Sequence, residues 1–425
     1  MRITQYSAAL AIIWCAGLAQ SQSEIVNSPI SVDQAVKLGL ARNPQVAAGL
    51  ASVAASRATY LALGVPVPLT LGASQVTGSS NAASLGNNNT DTILSVMGTI
   101  DLSGQRRYQA AVANSNFQSN HYQFLETLLS LERDIRDAYW SLAAAQSLSE
   151  IAKDSLAESD RVYQLTVSQE RAGSAPHGDV VRSSIDVANA KQASLAAKNA
   201  LHSAQIAFNK LLSQSPDSAI QIAASLGENS APMTTELIPT LSELTKESKQ
   251  NRPLLRSSAA QSRAANYAVK QAESSRFPDF NAVYQRSVQQ QVDALTLTLS
   301  FPLFDFGGIK HTVNATKQQR KQAEALQKET EEQVAEQVSQ AYNDLQTAVE
   351  SAASFKREIL TPSQTLLEMA LLGYQQGATG ILPVIDAEAT IRNAKTGYVS
   401  SLLAIYKAQD ELLSAVGKAP FPLGK

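Results

Sequence analysis

Hydrophobic residues recur along most of this chain in alternating steps of four and three positions. Such steps place the apolar side chains on one face of a helix, as in a heptad seam. The pattern runs without proline from about Gln105 to Ala172, and between Lys310 and Tyr374 it is interrupted only by Pro362. At 1.5 Å per residue, ~65 residues give a helix ~100 Å long, which is far more than one globular core can cover. The sequence therefore predicts two very long helices.

The chain consists of one unit that occurs twice. The seam of residues 131–145 matches that of residues 334–348 at an offset of 203, and Gly173 matches Gly377 at an offset of 204. A drift of one residue over so long a stretch indicates duplication rather than chance. Each copy has the order helix, two short segments, very long helix, turn and long helix. We predict a first repeat at residues 20–214, a linker with little regular structure at 215–239, a second repeat at 240–417 and a C-terminal tail at 418–425.

The short segments alternate between apolar and polar residues, which is the two-residue period of a β-strand. In residues 294–301 the leucines and Phe301 share one face, whereas the threonines and Ser300 share the other. Residues 94–102 show the same alternation, residues 67–74 predict a third strand, and residues 280–285 a weaker fourth. The predicted fold class is therefore mainly α with a small β part.

Strict alternation is also typical of an antiparallel strand in a soluble domain. Four strands of ~10 residues have the length of tilted membrane-crossing strands, but they are too few to close a barrel. Because open sheet edges are not tolerated in lipid, strands that span a membrane here must be joined by those of further copies of the chain. Beyond the N-terminal segment, we expect no apolar run to approach the ~20 residues of a membrane-spanning helix.

Composition and the N-terminal segment narrow the class of protein. With 17% charged residues and a formal net charge of -2, the chain lacks the basic excess of a nucleic-acid-binding protein. Residues 1–19 carry Arg2, an apolar run and small residues before Ala19, which predicts a signal peptide cleaved after Ala19. Cys15, the one cysteine, could instead be a lipid attachment site, although Trp14 stands where such sites need a small residue. Cleavage leaves a mature chain without disulfides or thiolate metal ligands.

No pattern in the sequence indicates an enzyme, a cofactor or a metal site. The four histidines are scattered, and none has a cysteine or a second histidine at the spacing of metal ligands. There is no phosphate-binding glycine loop and no nucleophile elbow. We therefore predict a protein without catalytic activity and without a cofactor.

Several motifs occur in the same order in both repeats. They are the helix start at residues 31–35 that leads to Asn43-Pro44, the strand exits at residues 101–107 and 301–308, and the helix turns at residues 171–179 and 374–386. In this order and spacing they resemble the TolC family of outer-membrane efflux proteins across essentially the whole mature chain. The Gly-Gln-Arg-Arg exit of the second strand is similar to the heavy-metal branch, so that metal ions and drugs are both open as exported substrates.

The resemblance implies the architecture and the partners of the protein. In that family, four strands from each chain of a homotrimer make a barrel of about twelve strands in the outer-membrane lipid, and the helices form a long barrel across the periplasm. The family also implies docking to a periplasmic adaptor (membrane fusion) protein and to an inner-membrane efflux transporter, for which we expect the RND type. The chain would be the passive exit duct of a tripartite efflux pump in the Gram-negative envelope.

The helix turns form the periplasmic tip in the family, where adaptors dock and the pore narrows. By position, Gly173, Gly377, Leu382 and Val384 are the candidate docking residues. A plain helix C-cap would explain the two glycines equally well, because both tasks require a conformation that side chains resist.

Three residues near the turns are candidates for the periplasmic aperture. Asp386 falls where the family often has a carboxylate facing the pore, and Asp179 matches the acidic residue of the first turn. A ring of carboxylates would favour cations, but Asp179 is also well placed for the positive end of a helix dipole. Tyr374 is a candidate for tying neighbouring helices together or for simple packing. Pro383 and Thr379 replace charged residues of relatives, which argues against a charge-pair latch at the second turn.

Arg106 and Arg107, directly after the second strand, are candidate anchors at the boundary between membrane and periplasm. Long basic side chains can extend from apolar surroundings towards lipid headgroups. They could instead mark an interaction site for a partner.

Two other classes of protein share part of this pattern. A secreted coiled-coil spacer or adhesin without a pore would have the long helices, but it has no need of two hairpins with lipid-like faces. A periplasmic adaptor also has long helical hairpins, but it needs β-rich domains on both sides of a single hairpin. The repeated hairpins favour the channel.

Overall fold

The computed structural model describes residues 29–78, 89–227, 238–289, 291–300 and 305–418. The predicted signal peptide with Cys15, the middle of the predicted linker, Phe301 and nearly all of the predicted tail lie outside the described residues. The chain divides into two compact units. A helical unit comprises the chain up to Ala48, Thr127–Arg252 and the chain from Val334 onward, and a second unit, which carries the sheet, comprises Gly49–Glu126 and Pro253–Gln333.

Both repeats contain the predicted elements in the predicted order, so the fold class, mainly α with a small β part, is confirmed. The first repeat consists of α1 (Val32–Arg42), α2 (Pro44–Gly64), β1 (Thr70–Gly78), β2 (Asn89–Ile100), α3 (Gln105–Arg171) and α4 (His177–Leu211). The second consists of α5 (Leu241–Asn251), α6 (Pro253–Ser274), β3 (Asp279–Ser287), β4 (Asp293–Ser300), α7 (Gly308–Phe355), α8 (Thr361–Gln375) and α9 (Leu382–Val416).

The first helix of each repeat begins and ends in the same way. Ser31 and Gln34 form a capping box at the start of α1, and Thr240 and Glu243 form one at the start of α5. In each box, the side chain of the first residue accepts from the backbone N–H of the second, and the side chain of the second accepts from the backbone N–H of the first. These two bonds fix the first turn of the helix. Both helices have 11 residues, and a proline opens the next helix after one intervening residue. Because proline has no N–H to donate, it suits a first helical turn and ends the helix before it.

The first predicted long helix is a single element, because α3 runs for 67 residues. The corresponding stretch of the second repeat is divided by a π-helical turn, Lys356–Leu360, between α7 and α8. Pro362 cannot donate to the preceding turn and clashes with it. The hydroxyl and the backbone N–H of Thr361 both bond to the carbonyl of Lys356, one residue further back than in an α-helix. The break therefore lies at the proline that interrupts the sequence pattern.

The four strands form one antiparallel sheet in the order β1-β2-β3-β4, in which the two repeats pair through β2 and β3. The predicted two faces are present. On one face a cross-strand row consists of Leu71, Val96, Tyr284 and Leu295. On the other face a row consists of Thr99, Asn281 and Thr298, in which the Thr99 hydroxyl donates to the Asn281 side chain at 2.8 Å. Strand β1 begins at Thr70, somewhat later than predicted, and β1 and β4 form the two edges of this sheet.

A buried tyrosine organises the core of the helical unit. Tyr139 of α3 is 1% exposed, as its position in the seam predicts. Its hydroxyl donates to the carbonyl of Ile30 at 3.0 Å and accepts from the backbone N–H of Ala224 at 3.2 Å. Ile30 also forms an isolated parallel bridge with Ile222. Because a buried phenol needs hydrogen-bond partners, Tyr139 fixes both the start of the first repeat and the beginning of the linker against α3.

Helix α2 contradicts the expectation that no apolar run after residue 19 is long enough to span a membrane. Its 21 residues include Arg57 as the one charged residue, and it is the one helix among the described residues that is long and apolar enough to cross a membrane by length and composition. The sequence pattern concealed this because alanine supplies most of the apolar character. A single such helix is weak evidence for a membrane span. Val46 is the one fully buried residue of α2, and most of the others are exposed in the single chain.

Candidate functional site

The two turn glycines have the left-handed conformation that their positions require. The φ angle is 76° at Gly173 and 70° at Gly377. The backbone N–H groups of Ser174 and Ala378, which follow the glycines, each bond to a carbonyl five positions earlier, at 2.8 Å and 2.9 Å. This is the bonding of a Schellman helix end, where a residue with a Cβ is strained. Both glycines therefore have a structural reason for their identity that requires no partner.

The first turn, between α3 and α4, is closed by a contact between its two sides. Nδ1 of His177 lies 2.7 Å from a carboxylate oxygen of Glu170. Asp179 lies in the first turn of α4 and is half-buried. The positive end of the helix dipole favours a carboxylate at this position. The placement of Asp179 agrees with the structural role that the sequence left open for it.

The second turn exposes several of the residues that the sequence singled out. Asp386 lies near the start of α9 and is exposed. Leu382, the first residue of α9, is 49% exposed. Pro383 and Thr379 are exposed as well. The turn thus presents a carboxylate and an apolar side chain, and neither Pro383 nor Thr379 carries a charge.

Val384 and Tyr374 lie inside the protein rather than on the surface of the turn. They form an apolar cluster with Val162 of α3 and Ile381, and all four are less than 5% exposed. Val384 therefore cannot contact an adaptor directly in this conformation, which corrects its assignment as a docking residue; it positions the exposed side chains beside it. The cluster joins the helical hairpin of the first repeat to that of the second.

The hydroxyl of Tyr374 makes the polar contact within this cluster. It donates to the hydroxyl of Thr166 on α3 at 3.2 Å, and Thr166 in turn donates to the carbonyl of Val162 at 2.9 Å. Thr166 is 0% exposed and Tyr374 is 3% exposed. The tyrosine thus ties helices of the two repeats within one chain.

Next to the cluster, the interface between the hairpins contains two buried carboxyl groups that the sequence analysis missed. Glu388 of α9 is 5% exposed, and neither of its carboxyl oxygens has a hydrogen-bond partner. Asp186 of α4 is 9% exposed and accepts from the hydroxyl of Ser159 on α3 at 2.6 Å. Burial, followed by the negative charges of Asp186 and Glu158, raises the pKa of Glu388 to about 7.

A third carboxyl group, further along α9, is perturbed in the same direction. Asp410 is 6% exposed, and burial raises its pKa to about 7 against the opposing charge of Arg136. Asp137 of α3 lies nearby, and burial raises its pKa to about 6. Among its described residues, the helical unit thus holds three carboxyl groups whose pKa is raised from the ordinary range towards neutral pH.

In the unit that carries the sheet, Arg106 serves the end of a helix. Its guanidinium donates to the carbonyl of Val65, just beyond α2, at 2.9 Å from Nη2 and at 3.2 Å from Nε. A cation at a helix C-terminus satisfies carbonyls that have no partner within the helix. Arg107 is exposed. Of the two predicted anchors, Arg106 therefore already has a structural role, and Arg107 has its charge available at the surface.

Each long helix after the sheet starts from a matching aspartate. Asp101 accepts from the backbone N–H groups of Arg106 at 2.8 Å and Gln105 at 3.2 Å. Asp305 accepts from those of Ile309 at 2.8 Å and Gly307 at 3.1 Å. Carboxylates at a helix start satisfy N–H groups without a partner in the helix. The repeated strand-exit motif is therefore a helix cap.

A family model described as "Outer membrane efflux protein" matches residues 35–214 and 244–418, which include both repeats. The chain belongs to the outer membrane efflux protein family. The curated relative OpmQ of Pseudomonas aeruginosa, named a pyoverdine export outer membrane protein, is 24% identical over 415 residues, which cover 91% of this chain and 85% of OpmQ. CzcC of Cupriavidus metallidurans, a cobalt-zinc-cadmium resistance protein, is 23% identical over 308 residues, covering 69% of this chain and 70% of CzcC.

Two solved structures have the same fold as this chain. The outer-membrane channel OprN matches with a TM-score of 0.79 and 20% identity, over 91% of this chain and 90% of OprN. CusC matches with a TM-score of 0.81 and 16% identity, over 95% of this chain and 96% of CusC. Both family and fold are those of a channel protein rather than an enzyme. The chain is thus an outer-membrane efflux channel of a Gram-negative envelope that extends into the periplasm.

Members of the family form trimers and work in tripartite pumps with an adaptor and an inner-membrane transporter. Among the described residues, no group of three or more His, Cys, Asp and Glu side chains could hold a metal ion.

Proposed function

We propose that this chain forms a homotrimeric exit duct that passively conducts substrates delivered by a periplasmic adaptor and an inner-membrane transporter of the RND type. In this proposal residues 1–19 are removed as a signal peptide, and the repeats at 20–214 and 240–417, joined by the linker at 215–239, each supply two strands and one helical hairpin.

The four-stranded sheet is the observation that carries the proposal. One face is apolar, the other is polar, and the sheet has two edges with unpaired backbone groups. Strand β4 is exposed at every residue, although it contains Leu295, Leu297 and Leu299. A soluble sheet would bury its leucines, whereas a barrel strand presents them to lipid. Joining β4 of one copy to β1 of the next removes both edges, and three copies give about twelve strands.

The helices also present apolar surface that a single chain leaves uncovered. In α4, Val181, Ile185 and Leu195 are 44%, 56% and 54% exposed. Most residues of α2 are exposed in addition. Lateral packing of neighbouring copies would remove these side chains from water.

Within this duct, the exposed residues of the turns have separate tasks. Asp386 of the three copies forms a ring of carboxylates at the periplasmic aperture, which favours cations. Leu382, beside the turn glycine Gly377, supplies an apolar contact for the adaptor, and Val384 and Gly173 shape the turns that present it. Arg107 pairs with headgroups of the outer-membrane lipid at the inner boundary of the bilayer.

The first experiment is conductance of the purified mature protein in planar lipid bilayers, with its mass in detergent measured by light scattering. We expect trimers that insert and conduct. Asp386→Ala should conduct more readily and with weaker cation preference, whereas Asp160→Ala, which removes an exposed carboxylate from α3, should behave as the wild type does. A monomer that never conducts would refute the duct and favour the coiled-coil spacer.

A further inference from the structure

Glu388 and Asp186 lie where the hairpins of the two repeats meet, close to the turns that begin α4 and α9. Glu388 follows the buried cluster residue Val384 by about one helical turn. On the opposite side, Ser159 precedes the cluster residue Val162 on α3. The carboxyl pair is thus part of the same joint between hairpins as the Tyr374 contact.

The surroundings of the pair supply too few hydrogens for two carboxylates. The hydroxyl of Ser159 has one hydrogen, which it donates to Asp186 at 2.6 Å. Ser159 also lies close enough to Glu388 to lower its pKa by hydrogen bonding, so the two carboxyl groups compete for one hydrogen, and while Asp186 holds it the oxygens of Glu388 have no partner in the protein. The charged groups that act on Glu388 are Asp186 of α4, Glu158 of α3 and Arg392 of its own helix. Arg392 also donates to Ser155 at 3.3 Å. A buried anion without a partner is strongly unfavourable, and a second anion beside it adds repulsion.

We propose that Glu388 and Asp186 form a proton-dependent latch, closed when Glu388 is protonated and weakened when Glu388 loses its proton. In the closed state, protonated Glu388 fits the buried interface as a neutral group. After the proton leaves to solvent, two carboxylates face each other across α4 and α9, and the interface lowers its free energy by admitting water or by separating. Because the helices concerned lead directly into both turns, separation widens the end of each chain where the turns lie.

The perturbed acidity of Glu388 agrees with this arrangement. Burial is the largest cause and the charges of Asp186 and Glu158 add to it, so that the pKa of Glu388 rises to about 7 while Arg392 opposes the rise. Glu388 therefore loses its proton within the range of pH values to which an outer compartment of the cell is exposed. The latch rests on the proposed function as a duct, and it assigns to that duct a response to alkaline pH.

The test measures the open fraction of single channels at both sides of neutral pH. For the wild-type mature protein we expect the open fraction to rise on the order of tenfold from about pH 5.5 to about pH 8.5. Glu388→Gln keeps the shape but carries no titratable proton, and its open fraction should stay low at both values. Asp186→Asn removes the adjacent charge and should reduce the rise in open fraction several-fold. The control is Asp160→Asn, which changes the exposed neighbour of Ser159 and should leave the rise unchanged.

A second measurement reads the proton itself and does not depend on gating. Infrared difference spectra of the wild type minus Glu388→Gln should show one protonated carboxyl that titrates near neutral pH. Titration in the ordinary range of a glutamate would overturn the latch, as would an unchanged open fraction while the carboxyl titrates near pH 7. A protein that conducts at neither pH would refute the duct, whereas equal conduction at both refutes the latch alone.

Discussion

Replacing Tyr374 by phenylalanine removes one hydroxyl from the joint between the hairpins and leaves the ring in place. The hydroxyl donates to Thr166 at 3.2 Å between two residues that are no more than 3% exposed. Thr166 keeps its own bond to the carbonyl of Val162, so the change leaves no buried donor without a partner. The expected cost is therefore that of one neutral hydrogen bond, about 1 kcal/mol per chain.

This cost has a definite consequence if the joint must separate when the tip opens. A loss of about 1 kcal/mol favours the open form about fivefold in each chain, and three chains acting together give a factor on the order of 100. Single-channel recording should therefore find Tyr374→Phe open far more often than the wild type. Thermal unfolding in detergent should change little, because the packing is preserved.

Two comparisons decide whether the hydroxyl itself is responsible. Thr166→Val removes the partner of the same bond and should also raise the open fraction. Tyr163→Phe removes the hydroxyl of a half-buried tyrosine next to the cluster residue Val162 and should have no effect. If Tyr374→Phe gates as the wild type does, the contact does not hold the tip closed and our account of the joint is wrong.

Three further predictions concern the sheet, a helix start and the dependence of stability on pH. Leu297→Arg, on the apolar face, should lower the free energy of unfolding in lipid by about 2–4 kcal/mol, which bilayer insertion would show. Thr298→Arg, on the polar face, should fold and change the ion selectivity, which reversal potentials would show. Asp101→Ala should lower the free energy of unfolding by about 1 kcal/mol, measured by denaturant titration, because the backbone N–H of Arg106 loses its acceptor and that of Gln105 keeps only the hydroxyl of Ser103. The pKa of Glu388 lies above its ordinary value of 4.5, so the folded chain retains a proton that the unfolded chain releases; stability should therefore fall as the pH rises from 4.5 to about 7 and level off above that. Each unit of pKa is worth about 1.4 kcal/mol, so the shift sets an upper limit of about 3.5 kcal/mol, and screening reduces the expected loss to about 1–2 kcal/mol. Glu388→Gln should make the unfolding midpoint less dependent on pH.

The periodic parts of the fold could be predicted from the sequence because periodicity is a property of one chain. The seam of α3 and the alternation in β4 each follow from a repeat in the printed residues. The π-helical turn before Pro362 was not predicted, because the seam pattern continues through the proline and the turn depends on the geometry of the backbone around it. The apolar character of α2 escaped because alanine contributes little to a pattern of large hydrophobic residues.

The buried polar groups could not be predicted in the same way, because their environment is formed by distant segments. Asp186 and Ser183 occupy seam positions of α4, and Glu388 lies between Val384 and Ile391 on the buried face of α9. A carboxylate in a seam is the pattern that could have revealed them. Its meaning, however, depends on whether the facing helix brings a cation or a second acid, and only the fold shows that Asp186 and Glu158 are what Glu388 meets.

A joint that must open and close has to differ from an ordinary hydrophobic core. Separating a fully apolar seam exposes each buried aliphatic side chain at a cost of about 1.5–3 kcal/mol, which soon exceeds what a docking partner can supply. Hydroxyl and carboxyl groups change this balance, because Tyr374, Thr166 and Glu388 exchange their interactions in the interface for hydrogen bonds with water. Under the proposed gating, we expect the mixture of a small apolar cluster with buried polar groups to leave the closed form favoured by only a few kcal/mol, which a change of pH or a partner is able to overcome.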